Sequence, residues 1–367
     1  MVRKIKGLDS KLRSMETIAT AYLEVRREKK DHHDVIEIDK DPMTFLEGIR
    51  HDIIHHTYVP GKYVEYDKME RGKMRHVAFQ PIRDQVVQWV WKLVVEPEIN
   101  KRLIGHTYAS IKGRGQHDAV HQMQKYMRAD PEGTVYCLDF DVHHCFESMT
   151  ADVVMRAFRR KFADPDVLWL TETILRGYHN GEHLPLGNVT SHPLANLVLD
   201  AVDRIITEGG VMNAKGERGM RAKRYIRYLD NGWVLARSKS YLRRVRHKVV
   251  DKMAELGLMM KANWQIYPVE SRGVHILGYR VFHNFTLLCK KTKLKLKRTL
   301  NAAIEHLKAG SDPTPTELGQ FASYKGVLKH CNSWRLSKKT TRLFERLWKA
   351  KTWIKSPLHP THIPSRS

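Results

Sequence analysis

The sequence predicts an α+β protein. Long segments carry apolar residues at helical spacing, and short alternating runs bounded by turn residues read as strands. A C-terminal quarter is mostly basic helix. In "DPMTFLEGIRHDIIHHT", Asp41 stands as an N-cap with Pro42 at the first helical position; Phe45, Leu46, Ile49, Ile53 and Ile54 then form one apolar stripe. "YVPGKYVEYDKMERGKMRHVAF" follows as alternating strands around Glu70-Arg71-Gly72-Lys73, a basic hairpin. Residues 84–104 read as helix, with Val86, Val87, Val90, Trp91 and Val94 facing a core, and "ASIKGRGQHDAV" as a basic glycine loop entering another helix. "GTVYCLDFDVHHCFESM" is a strand and a turn before a helix that begins near Thr150. "LPLGNVTSHPLANLVLDAVDRIIT" is a loop and then a helix, with Pro193 near its start and Leu194, Leu197, Val198, Ala201 and Ile205 on one face.

In "RYIRYLDNGWVLARS", strand-like runs flank Leu229-Asp230-Asn231-Gly232, and Asn-Gly between apolar alternations is a hairpin signal. Residues 241–257 are again helical, and "NWQIYPVESRGVHILGYRVFHNFTLLCKK" reads as strands. From about 290 onward basic helices dominate, interrupted by the linker "GSDPTPTE" at 310–317 and followed by a loose tail, "SPLHPTHIPSRS".

Composition narrows the function classes. The chain has 367 residues, 42% of them apolar, which is enough for a sizeable core. No run approaches the roughly eighteen apolar residues of a spanning helix, and "MVRKIKGLDSKLRS" lacks the apolar stretch of a signal peptide, so a cytoplasmic location is expected. Cys137, Cys145, Cys289 and Cys331 show no CxxC spacing and read as buried thiols. The paired histidines, such as His143-His144, point to opposite sides of an extended chain and do not read as joint metal ligands. Lys and Arg number 64 against 40 Asp and Glu, a net charge of +24. That excess is best tolerated beside a polyanion, and nucleic acid is the default partner. A membrane-surface role fits less well, because no stretch joins a basic face to a strongly apolar one.

In so basic a chain, an acidic residue at the end of an apolar strand needs a reason. Asp139 and Asp141 share one face of "YCLDFDV", and Asp230 lies at the hairpin. Carboxylates at neighbouring strand ends can share hard divalent cations. Pattern alone leaves Asp230 open between a turn residue and a ligand.

Read in order, these stretches resemble the blocks of reverse transcriptases. "KMERGKMRHVAFQPIRDQVVQ" and "HTYASIKGRGQHDAV" are similar to the two fingers blocks, and "CLDFDVHHCFESM" to the block of the first catalytic Asp. "LPLGNVTSHPLANLVLDAVD" is similar to the block that supports the incoming nucleotide, and "RYIRYLDNGWVL" to the Tyr-x-Asp-Asp hairpin. "NWQIYPVESRGVHILGYR" resembles the primer grip and "ASYKGVLKHCNSWRL" a thumb helix. "LPLGNVTS" and "ILGYR" most closely resemble the enzymes of diversity-generating retroelements.

The resemblance implies a right-hand polymerase fold: an N-terminal helical extension at 1–60, fingers at 61–135, a palm of antiparallel sheet and helices at 136–285 with a fingers insertion at about 155–185, a basic helical thumb at 286–356 and a loose tail at 357–367. It implies an RNA-directed DNA polymerase, error-prone, that copies a template repeat into mutagenised cDNA. Asp141 and Asp230 become ligands of two Mg²⁺ ions, with the Val142 main-chain carbonyl assisting, and the spacing to Phe146 selects Asp141 over Asp139. Phe146 becomes the gate against a ribose 2′-hydroxyl, so that dNTPs are the substrate. Lys73, Arg75, Lys112 and Arg114 become triphosphate contacts, and Gly187 and Asn188 let the backbone approach the nucleotide. Implied partners are template RNA, the RNA/DNA hybrid and a small basic accessory protein of oligomeric form.

Departures from the pattern carry expectations of their own. Asn231 stands where a second Asp is usual, a neutral and weaker ligand, so that metal affinity falls and Mn²⁺ is favoured. Leu186 stands where many reverse transcriptases have Gln and cannot make its hydrogen bond, which lowers discrimination. His192 replaces the Gln usual in the subfamily, and Ile111 an Arg of the second fingers block. Lys261, in "MMKANWQ", is the general-acid candidate. A group-II-like or phage-defence reverse transcriptase, and an RNA-binding scaffold weakened in catalysis, are the alternatives.

Overall fold

The computed structural model describes residues 4–70, 73–209, 221–309 and 314–349. Helices and sheets are mixed, and the chain divides into two compact units of discontinuous segments. One comprises 1–110, 139–232 and 243–264, the other 111–138, 233–242 and 265–367.

In the first unit the capping signal works as read. Asp41 accepts a hydrogen bond from the Thr44 amide at 3.2 Å at the start of helix Pro42–His55, whose Leu46, Ile49 and Ile53 are buried. His56, in the left-handed conformation, ends it. Helix Ile82–Asn100 starts and stops earlier than expected, and its Trp91 is fully buried with the indole N–H donating to Thr171 Oγ at 2.8 Å. Strands Val64–Glu70 and Lys73–Phe79 pair antiparallel; Arg71 and Gly72, named in the predicted hairpin, lie outside the described residues. Helix Ala151–Arg159 is capped by Thr150, which accepts from the Val153 amide at 3.3 Å. Helix Ser191–Thr207 corrects the predicted face: beyond Leu194, Leu197 and Val198 it buries Val202, Asp203 and Ile206, while Ala201 and Ile205 are only half-buried.

The main sheet orders its strands Thr107–Tyr108, Tyr225–Tyr228, Asn231–Ala236, Tyr136–His143 and Met259–Met260, with Gln265–Pro268 also paired to Tyr136–His143. Thr107 pairs with Arg227 in parallel, and Val142 with Met260 antiparallel. Of the four residues read as the hairpin turn, Leu229-Asp230 form it: Leu229 takes φ +53°, and Asn231 already begins the next strand. The glycine has another task, since a methyl group at Gly232 would run into the Phe140 ring.

In the second unit the stretch predicted as strands comprises Gln265–Pro268, an unpredicted helical turn Val269–Arg272, and a three-stranded antiparallel sheet of Val274–Ile276, Tyr279–Val281 and Thr286–Leu288. Gly273 permits the passage from turn to sheet: its φ is +66°, and any side chain would meet Arg280 and Phe282. Basic helices Lys290–Lys308, Pro315–Leu328 and Trp334–Lys349 follow. Part of the expected linker is a helix start, because Thr314 and Glu317 form a capping box, whereas 310–313 lie outside the described residues. So do 350–356 and the tail. Cys137, Cys145 and Cys289 are buried and Cys331 half-buried, all as free thiols. Among the described residues, no helix is long and apolar enough to cross a membrane.

Candidate active site

Strand Tyr136–His143 alternates in burial, with Phe140 and Val142 inside and Asp139, Asp141 and His143 on the other face. Hydrophobic burial of the first set therefore fixes where the second set points. Asp141 reaches the strand end where the Leu229-Asp230 turn lies, and the Val142 amide donates to the Asp230 carbonyl at 3.0 Å. The two carboxyl groups meet side by side. Burial first, and then the charge of Asp141, push the Asp230 carboxyl up to about 6. The same burial, with Asp230 nearby, pushes the Cys145 thiol up to about 12 and keeps it neutral.

Lys261 joins them from the end of the neighbouring strand. Its amide donates to the Asp141 carbonyl at 2.8 Å and its ammonium to Asp141 Oδ2 at 2.7 Å. One lysine does not balance the site. Asp141 Oδ1 is buried without a hydrogen-bond partner, and Asp230 Oδ1 accepts from the neutral Asn231 amide at 2.8 Å. An orphaned carboxylate oxygen beside a second, strained carboxylate is a donor set for a hard divalent cation. Among the described residues no cluster of three or more His, Cys, Asp or Glu could hold a metal. The remaining coordination would therefore fall to main-chain carbonyl, water and substrate oxygens, as is usual for Mg²⁺.

Behind the turn sits a buried ionic knot that sequence reading missed. Arg227 and Asp203 are 1% and 0% exposed. Arg227 Nε donates to Asp203 Oδ1 at 2.7 Å and Nη2 to Asp203 Oδ2 at 2.8 Å, a bidentate pair. Tyr225 and Thr107 hydroxyls donate to the same carboxylate at 2.7 and 3.0 Å. Arg227 Nη1 donates to Asn196 Oδ1 at 2.8 Å and to the Leu229 carbonyl at 3.0 Å. The guanidinium thus grips the residue before Asp230 and holds its left-handed backbone. A signal existed: Asp203 falls on the apolar stripe of Leu199, Val202 and Ile206, and Arg227 lies inside an apolar strand. Charges of opposite sign at two core positions ask for each other.

The other predicted residues divide into groups. Phe146 is half-buried, with its ring 5.2 Å from His192 edge-on, and its carbonyl accepts from the Leu184 amide at 3.1 Å. The loop that follows is tied to the basic strand pair: the Ala78 amide donates to the Leu186 carbonyl at 2.9 Å, and Asn188 Nδ2 donates to the Tyr63 hydroxyl at 2.7 Å. This gives Gly187 and Asn188 a clear structural task. Gly187 has φ +127°, and its backbone lies so near the Ala78 carbonyl that a Cβ would collide. Both residues border a 450 Å³ pocket with Tyr66, Phe79 and Trp89. Arg75 is exposed on that strand pair opposite Lys68, and the Lys73 backbone pairs with Glu70. Lys112 and Arg114 belong to the second unit, on the loop before helix Gln116–Ala129.

Mixed helices and sheet thus surround a carboxylate pair at a strand end and a hairpin turn. A model of the family described as "Reverse transcriptase (RNA-dependent DNA polymerase)" matches residues 66–281, more than half of the chain. The chain belongs to that family. It is 22% identical over 188 residues to the "Putative COX1/OXI3 intron 1 protein" of Saccharomyces cerevisiae, a match covering 48% of this chain and 22% of that protein. It is 24% identical over 177 residues to "Protein YkfC" of Escherichia coli strain K12, covering 44% of this chain and 45% of that protein. The chain therefore spans less than half the length of either relative.

Proposed function

We propose that the chain is an RNA-directed DNA polymerase whose centre is Asp141 and Asp230. The observation that carries this reading is the meeting of two carboxylates far apart in sequence, one with a buried oxygen that has no partner. Asp141 and Asp230, with the Val142 carbonyl, would hold Mg²⁺ or Mn²⁺. When bound, a pair of such ions activates a primer 3′-hydroxyl and offsets charge on the departing pyrophosphate. The protein's own groups do the rest. Lys261 aims Asp141 and keeps a proton beside the site, Phe146 lies under the sugar to favour dNTPs, and Arg75 with Lys73, Lys112 and Arg114 draws in the triphosphate. Leu186 offers no side-chain hydrogen bond to the nucleotide, which favours error.

The arrangement of fingers at 61–135, palm at 136–285 and thumb at 286–356 is part of the proposal. So are the diversity-generating subtype, mutagenic copying of a template repeat, a small basic accessory protein, and a cytoplasmic location. One observation favours a second reading. The yeast relative is named as an intron protein, which points to an intron-type reverse transcriptase instead. Primer extension on primed RNA, with Mg²⁺ and then Mn²⁺ and with products sequenced, tests the proposal. Extension that Asp141→Asn or Asp230→Asn abolishes, with errors concentrated at template adenines, is expected. Absence of extension in both metals, with RNA binding intact, would leave an RNA-binding scaffold. Extension with uniform low error would favour the intron type.

A further inference from the structure

A strongly basic concavity of the first unit lies away from the carboxylates. It is a groove of about 1730 Å³ between helices Ala151–Arg159 and Ser191–Thr207, the end of helix Lys239–Glu255 and the N-terminal segment. Neither Asp141 nor Asp230 lines it, nor does any residue assigned above to the nucleotide.

Two separate pieces of chain place cations at this groove. Ile5 is buried and forms a parallel bridge to Phe162, its amide donating to the Lys161 carbonyl at 2.8 Å and its carbonyl accepting from the Ala163 amide at 3.0 Å. Strand-like alternation then turns Lys4 and Lys6 outward together. Arg156 and Arg160 stand one helical turn apart and are exposed, so they are neighbours of like charge, a disfavoured arrangement. Among the described residues none of these four is held in an ion pair, whereas Arg159 is tied to Glu172 at 2.6 Å and Lys161 and Arg204 to Asp200 at 3.5 and 2.8 Å. A helix C-terminus accounts for some positive charge near Arg156 and Arg160. It does not account for two lysines brought in from the N-terminal segment.

The chemistry of the lining selects the ligand. No aromatic side chain lines the groove, so bases have nothing to stack on; nine Lys and Arg line it against four carboxylates, each held in an ion pair, and the cations left over are hydrogen-bond donors suited to phosphate. Its concavity admits a nucleic-acid strand but not a flat bilayer. We propose that this groove is a second RNA site, which holds the phosphate backbone of the template without reading sequence, outside the stretch being copied. This rests on the RNA-directed reading above, and the test separates the two.

The full chain and a variant combining Lys4→Ala, Lys6→Ala, Arg156→Ala and Arg160→Ala are compared in two assays. One is extension of a short primed RNA with little beyond the primed region. The other is equilibrium binding of a long RNA of mixed sequence at several salt concentrations. Short-template extension should be unchanged, while long-RNA affinity falls at least about tenfold and the log-log salt slope flattens by about 3, as expected for four lost phosphate contacts. The charge-conserving set Lys4→Arg, Lys6→Arg, Arg156→Lys and Arg160→Lys should behave as the parent, which distinguishes lost charge from lost fold. Unchanged long-RNA affinity and slope in the alanine variant would overturn the proposal. So would a loss confined to binding of polyglutamate, which would assign the groove to an acidic protein. Failure of the parent to extend the short template would break the polymerase reading alone, since the binding assay decides the groove.

Discussion

Two charge clusters, one fully buried and one half-buried, lie a few residues apart along the same hairpin, and they are built on opposite principles. The Arg227–Asp203 knot is satisfied, with hydroxyls, an amide and a backbone carbonyl completing the pair. The Asp141–Asp230 pair is left short: two carboxylates face one lysine, and an oxygen has no partner. Compensated burial makes a scaffold, and uncompensated burial makes a site waiting for charge. The first cluster holds Leu229 so that the second can keep its unfavourable geometry.

The largest expected effect is on chemistry. Asp141→Asn or Asp230→Asn should lower primer extension by a factor on the order of 10³, with RNA binding preserved, because several kcal/mol of charge stabilisation disappears. Retained extension in either variant would break the contrast at once. The satisfied cluster should answer in stability instead. Asp203→Asn leaves Arg227 buried beside a neutral amide, which costs about 3–5 kcal/mol and lowers the melting temperature by on the order of ten degrees. A variant that melts like the parent would show that the knot does not hold the turn.

Smaller effects sharpen the comparison. Asn231→Asp adds charge where the site lacks it and removes the amide bonded to Asp230, so synthesis in Mg²⁺ should rise a few-fold and any advantage of Mn²⁺ shrink. An unchanged or slower rate counts against the charge account. The smallest effect is a pH-dependent one. Asp230 titrates near 6 in the fold against an ordinary 3.8, so the folded chain binds this proton more tightly than the unfolded chain does. Its contribution to stability is present below the ordinary value and lost as pH rises through about 6. In chelator, Asp230→Asn should therefore melt a few degrees above the parent at pH 8 and equal to it below pH 4. Parallel melting curves at both pH values would show that the carboxylate carries no strain.

How much of this was legible in the sequence follows from what each residue depends on. Local chemistry was readable: Asp41 as a cap, Thr150 before its helix, Asp139 and Asp141 on one strand face. The partnership of Asp141 with Asp230 needed the family resemblance, because strand adjacency is set by the folded sheet. The turn was drawn two residues too long, since Asn-Gly is a strong local signal and the real demand on Gly232, the nearness of Phe140, is a tertiary one. Gly187 was read toward a nucleotide, and the structure gives it a backbone neighbour at Ala78. Lys261 was legible only as a basic residue in roughly the right region. The Arg227–Asp203 knot was missed because each half, taken singly, looks like an error in an apolar pattern.

Gly232 has a wider consequence. The residue beside Asn231 is bare so that the ring of Phe140, the residue before Asp141, can lie flush against the backbone there. A hydrocarbon spacer beneath the centre thus helps gauge how far apart the acidic tips sit. If Asp141 and Asp230 hold divalent ions as proposed, such pre-set spacing would make selectivity among cations begin in the apolar layer beneath them.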